Sequence, residues 1–278
     1  MKIRTISGAC FVAIITGFFL LREYVDTSIF NILIWFFCAY GTFEVVRATK
    51  EHTSKFTRIL ALITGISAVP AYVVLDYFLG IDAVLISISI VLFAVLVYFI
   101  FSLSKYKDVD FFGLIPIVYP SILLLTMAFA NALEVNGFIA LLLIFVVSPL
   151  TDTFAYLVGM IYNKIRKGKA KKLCPKLSPK KTVAGAIGGL IGGAFGAILV
   201  YVIFTPEISV DLPLLVFAIA GLFASLLTQV GDLFESFIKR RVGIKDMGKI
   251  MPGHGGVMDR IDGITFASLF VYVFFLVI

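Results

Sequence analysis

The chain has 278 residues, 60% of them apolar and 15% charged, with a mean hydropathy of +1.06. Soluble domains lie nearer about 45–50% apolar and about 25% charged, so a soluble globular fold is excluded. At about 20 apolar residues per crossing, roughly eight to ten spans fill the chain and leave no room for a large domain outside the membrane. The net charge of +7 points to membrane orientation and anionic lipid, and no nucleic-acid partner is expected.

Lys2 and Arg4 precede an apolar run from Ile6 to Leu21. No small-x-small cleavage site follows, and the run meets Arg22 and Glu23, so it is expected to stay as the first span. Cutting at the polar clusters predicts nine spans, roughly 6–21, 27–46, 59–79, 83–104, 111–131, 137–161, 183–204, 213–235 and 262–278. Short alternating strands of a β-barrel are not seen. The fold class expected is therefore all-α and polytopic. Cys10, Cys38 and Cys174 are too few and too scattered for a disulfide framework or a zinc site.

Charge fixes the expected orientation. Alternate connections hold 23 of the 24 Lys and Arg residues, and Arg22 stands alone on the other side. The basic side should be cytoplasmic, with the N-terminus inside and the C-terminus outside. Residues 1–136 read as a transmembrane scaffold. Residues 137–278 read as the catalytic region, with long cytoplasmic loops 162–182 and 236–261. No internal repeat is apparent, which argues against a transporter.

The run 183–196 contains Gly185, Gly188, Gly189, Gly192, Gly193 and Gly196, many of them four apart. It predicts a smooth helix face for close packing. It lacks the strand and the Lys-Ser/Thr ending of a nucleotide-binding P-loop.

Chemistry concentrates in 229–262. If the eighth helix continues to Lys239, then Asp232, Ser236 and Lys239 share a face, with Glu235 beside them. Asp259 and Asp262 share a face at the start of the ninth helix. Carboxylates at membrane depth are costly unless paired or bound to a cation. Asp232, Asp259 and Asp262 would make an all-oxygen site suited to Mg²⁺ with phosphates, the sequence leaving a second cation open. The linker between the helices is rich in Gly, Lys and Arg, which suits phosphate contact. Together these parts are the equipment of phosphoryl or nucleotidyl transfer. Asp152, an acid near the end of an apolar span, is a further candidate for nucleotide or metal contact, against a structural network with Thr151 and Thr153.

Ser236-Phe-Ile-Lys239-Arg240, then Lys245-Asp246-x-Gly248, then Pro252-x-His254-Gly255-Gly256-x-x-Asp259-Arg260-x-Asp262 resembles the C-terminal motif of the CDP-diacylglycerol synthases (phosphatidate cytidylyltransferases). Gln229-x-Gly231-Asp232, Asp152-Thr153 with Ala155-Tyr156, and Ser178-Pro179-Lys180-Lys181-Thr182 fit the same family. Met251 and Ala184 depart from it, the second by removing a polar group usual at that position. The resemblance covers about 150–262.

It implies transfer of the cytidylyl group of CTP to phosphatidic acid, with Mg²⁺, in the cytoplasmic membrane, the active site facing the cytoplasm. A homodimer is compatible with it. Asp232, Asp259 and Lys239 are the catalytic candidates. Substrate contacts are expected from Asp152, Ser178, Lys180, Lys181, Thr182, Ser236, Lys239, Arg240, His254, Gly255, Gly256 and Arg260. Ser236 reads as a polar contact rather than a nucleophile, and His254 as loop positioning more than a general base. Arg260 has pairing with Asp246 as its alternative. Neighbouring readings are a polyprenol kinase or an archaeal-lipid cytidylyltransferase. A cation transporter is remoter, because its acids should lie near midplane in broken helices.

Overall fold

The computed structural model describes residues 2–79, 82–106, 111–205, 210–253 and 255–278. Among them are nine helices long and apolar enough to cross a membrane, one for each predicted span. The chain divides into two compact units, Met1–Ala132 with Val242–Arg260, and Leu133–Arg241 with Ile261–Ile278.

The first unit contains α1 (Lys2–Tyr24), α2 (Ile29–Ala48), α3 (Lys55–Leu79), α4 (Asp82–Tyr106) and α5 (Phe111–Asn131). In α5, 83% of the apolar stretch is buried, against 6% in α1, so α5 is the centre of this unit and α1 its rim. Phe30, Ile34 and Phe37 of α2 and Leu124, Leu125 and Met127 of α5 are fully enclosed. Lipid tails are as apolar as these side chains, so close packing holds the helices together more than expulsion from water does. Where α1 ends, Arg22 is buried. Its Nε donates to Asn131 Oδ1 (2.7 Å) and its Nη2 to the Asn131 carbonyl (3.1 Å). Asn131 Nδ2 in turn donates to the Thr27 carbonyl (2.9 Å) and to Asn31 Oδ1 (3.1 Å). One polar cluster thereby ties the ends of three helices.

The second unit contains α6 (Gly137–Ile165), α7 (Val183–Phe204), α8 (Pro213–Arg241) and most of α9 (Met258–Val277). Helices α6 and α8 run past the predicted span ends. Lys and Arg are good helix formers, and the basic last turn of α8 complements its negative C-terminus. The connection 162–182 also contains a short antiparallel hairpin, β1 (Lys172–Cys174) with β2 (Ser178–Thr182), in which Lys172 pairs with Thr182 and Cys174 with Ser178. That hairpin is an addition to the otherwise all-α reading.

The glycines of α7 serve two neighbours rather than one. A Cβ on Gly192 would stand 2.6 Å from Phe154 Cβ of α6, while one on Gly193 would strike Ser225 of α8. Gly221 answers from α8, where a Cβ would be 2.6 Å from the Ala197 side chain. Helix α7 therefore sits between α6 and α8 with backbone nearly touching backbone. The α8–α9 contact is aromatic, with Phe234–Phe266 (5.6 Å) and the stacked pair Phe223–Phe270 (5.7 Å).

Candidate active site

At the end of the second unit where α6 and α8 finish and α7 begins, the hairpin and three helices line an open cavity of about 540 Å³. Thr182 organises this end. It closes β2, and its Oγ1 accepts from Gly185 N (3.0 Å), so the last strand residue also caps α7. Lys180 and Lys181 are thereby carried to the cavity wall.

Six residues expected from sequence line the cavity together: Asp152, Ser178, Lys180, Lys181, Thr182 and Asp232. Lys172, Tyr156, Asn163 and Gln229 join them, and Asn163 Oδ1 is buried without a hydrogen-bond partner among the described residues. Asp152, Tyr156, Gly159 and Asn163 fall on one helical face at spacings of four, three and four. That stripe was readable in the sequence and went unread.

Lys181 Nζ is ion-paired with Asp232 Oδ2. Ser236 Oγ donates to the other oxygen of Asp232 over 3.4 Å, a long contact. One turn on, Lys239 Nζ lies 3.5 Å from Oε1 of the fully buried Glu235. Asp262 of α9 lies within electrostatic reach of Glu235, Asp232 and Lys239. Gly231 makes this possible, since a Cβ there would press into the Asp262 carbonyl and stand 2.9 Å from Phe266. The glycine before Asp232 lets the two acid-bearing backbones approach. Ser236, Lys239, Arg240 and Asp262 do not line the cavity itself.

Among the described residues, no group of three or more His, Cys, Asp or Glu side chains is gathered as a metal cage. Magnesium needs no such cage, because it is commonly held by one or two carboxylates plus substrate phosphates and water. Asp232 and Asp262 fit that pattern in donor chemistry and in nearness.

The remaining motif residues belong to the first unit. Asp259 Oδ2 accepts from the backbone N–H groups of Gly256 (2.7 Å), Met247 (2.9 Å) and Gly248 (3.4 Å). Gly255 takes φ +94°, and a Cβ there would stand 2.7 Å from that same oxygen. Met251 and Gly255 exchange backbone hydrogen bonds of 3.0 and 3.1 Å. Arg47 Nη2 of α2 donates to the Met247 carbonyl (2.9 Å). Arg260 is exposed and forms no ion pair with Asp246 among the described residues. Arg240, near the end of α8 in the second unit, is exposed as well. His254 lies outside the described residues.

Sequence reasoning passed over Glu44, a fully buried acid within α2 whose Oε2 accepts from Met258 N (2.9 Å). The rule that flagged Asp152, an acid inside an apolar span, would have flagged it too.

Comparison with known proteins finds relatives over part of the chain. Phosphatidate cytidylyltransferases of Brucella abortus and Helicobacter pylori are 48% identical over 56 residues and 52% identical over 60. One from Mycobacterium tuberculosis is 50% identical over 56 residues. These matches each cover 20% of this chain, and 21%, 23% and 17% of the respective relatives, so the matched stretch spans about a fifth of their length. The cytidylyltransferase family model, by contrast, matches residues 2–278. Given that match over almost its whole length, the chain belongs to the cytidylyltransferase family.

Proposed function

We propose that the protein transfers the cytidylyl group of CTP to phosphatidic acid, releasing pyrophosphate and forming CDP-diacylglycerol. The observation that carries this reading is the single cavity uniting Asp152, Ser178, Lys180, Lys181, Thr182 and Asp232. Cations, hydroxyls and carboxylates on one concave wall suit a triphosphate with its counter-cation.

The attacking group is a lipid phosphate monoester, already anionic at neutral pH, so no activated Ser or Cys is required. Its oxygen forms a bond to the α-phosphorus of CTP as the bond from that phosphorus to the bridging oxygen breaks, and pyrophosphate leaves. Lys180 and Lys181 hold phosphate oxygens, and Lys239 draws off charge developing on the leaving group. The chain's main contribution is alignment of two anions that repel each other in water. Asp232 and Asp262 would hold Mg²⁺, with Asp259 the third candidate from sequence; when bound, the ion neutralises phosphate oxygens. The basic side of the membrane, read as cytoplasmic, supplies CTP, and the lipid arrives from the adjoining leaflet.

The test is incubation of purified protein with CTP labelled at the α-phosphorus and a panel of lipids, with Mg²⁺ present or chelated. Label should enter phosphatidic acid with one pyrophosphate released per lipid, and only with the metal. Transfer of the γ-phosphate to a polyprenol, or cation flux in sealed vesicles without CTP consumption, would overturn the reading.

A further inference from the structure

We propose that Glu44 of α2 is a positioning residue that sets the backbone of the motif loop at Met247–Gly248 and Gly256–Met258. This assignment rests on the proposed reaction for its kinetic meaning and on geometry for its placement. The Glu44 carboxylate is fully buried. Its Oε2 accepts the Met258 N–H at 2.9 Å, one of the otherwise unpaired donors that open α9. Its Oε1 has no hydrogen-bond partner among the described residues and faces the motif glycines instead.

Those glycines explain the arrangement. Neither Gly248 nor Gly256 has a positive φ, so backbone conformation does not require glycine at either place. Space does. A Cβ on Gly256 would stand 2.5 Å from Glu44 Oε2 and 2.6 Å from its Cδ, and one on Gly248 would collide with Oε1. The same Cβ on Gly248 would be 2.7 Å from the Gly256 Cα, so two passes of the loop are pressed together beneath the carboxylate. Asp259 Oδ2 takes the N–H groups of both glycines. Each glycine is thus gripped by two acids, Asp259 through its N–H and Glu44 through its bare Cα. Arg47, one turn along α2, fixes the Met247 carbonyl at the loop's other end. The face of α2 that carries Glu44 and Arg47 is the template on which the loop is shaped.

The experiment measures amide hydrogen exchange over 245–258, together with kcat and KM for CTP, in wild type, Glu44→Ala, Gly256→Ala and the double variant. Exchange at Gly256 and Met258 should rise at least about tenfold in Glu44→Ala. Its kcat should fall at least about tenfold while KM for CTP stays within about twofold, because Lys180 and Lys181, to which the proposed reaction gives the CTP phosphates, lie outside this loop. Gly256→Ala should lower kcat about a hundredfold in wild type but less than about threefold in the Glu44→Ala background, where the obstructing carboxylate is gone. Losses that simply multiply, a rise in KM at constant kcat, or unchanged exchange would each overturn the assignment. If Glu44→Ala does not accumulate in the membrane, Glu44→Asp, with its carboxylate drawn back by one methylene, takes its place under the same criteria. A wild-type protein without lipid transfer would overturn the reaction, and the exchange result would still decide the placement.

Discussion

The ammonium of Lys181, on β2, is ion-paired with the carboxylate of Asp232 on α8. Sequence reasoning gave the two separate tasks, phosphate contact and metal binding. The structure makes them neighbours on one wall. Each charge can be released to a ligand of its own, the ammonium to a phosphate and the carboxylate to a cation. Their side chains are 27% and 31% exposed, so the pair itself contributes about 0–1 kcal/mol to stability.

Lys181→Met should therefore move the thermal midpoint in detergent by no more than about 3 °C. It should lower kcat/KM for CTP at least about tenfold, a loss of about 1.4 kcal/mol of transition-state binding. Combined with Asp232→Asn, the loss should be smaller than the product of the two single losses. A large fall in the midpoint with normal CTP kinetics would return the pair to a purely structural role.

Asp232→Asn and Asp262→Asn should each cut turnover about a hundredfold or more, and chelation should abolish it with recovery on added Mg²⁺. Asp259→Asn is the discriminating variant, because its Oδ2 already holds three backbone N–H groups. Retention of more than about a tenth of the wild-type rate, under about 1.4 kcal/mol, would remove Asp259 as a ligand and leave it as the loop's anchor.

Lys239→Ala should be more damaging than His254→Gln. Lys239 is mostly buried, and its ammonium lies 3.5 Å from Glu235. Removing one partner of a buried pair costs about 3–5 kcal/mol, so stability should fall together with rate. His254→Gln should keep substantial activity with an unshifted pH profile, since a phosphate monoester nucleophile gives a base little to do. An inactive His254→Gln beside a near-normal Lys239→Ala would reverse the two roles.

Gly221→Val should lower the thermal midpoint clearly, because overpacking costs about 1–3 kcal/mol and a Cβ there would lie 2.5 Å from the Gly193 carbonyl. Gly17→Ala, where a Cβ meets nothing within 4 Å, should leave the midpoint unchanged. Equal behaviour of the two would mean that α7 and α8 are not closely packed.

Cys174, half-buried in the hairpin, should react with a membrane-impermeant maleimide only after the cytoplasmic face is opened. Labelling in intact cells would reverse the proposed orientation.

The spans were legible because hydropathy alone marks them: each predicted stretch has its helix, with ends displaced by a few residues. The hairpin was not, since Lys172-Leu-Cys and Ser178–Thr182 carry no alternation of apolar and polar residues to announce strands. Of the site, the acids and lysines were readable as motif residues. Their gathering around one cavity was not, because it depends on Thr182 closing the hairpin and capping α7. Glu44 stayed hidden for a different reason. Its meaning lies in two glycines some two hundred positions away, and no local pattern connects them.

Arg22 carries a consequence for how the membrane reads this chain. It is the one cation in the sparsely charged connections, yet its guanidinium donates to Asn131, lies 3.6 Å from Glu23 and is 6% exposed. Once folded, it is a rivet between helix ends rather than a loop charge. Exchanging it for an uncharged donor should loosen the ends of α1 and α5 and leave the insertion direction as it was. Arg22 therefore belongs to the packing of the first unit, apart from the loop charges on which the expected orientation rests.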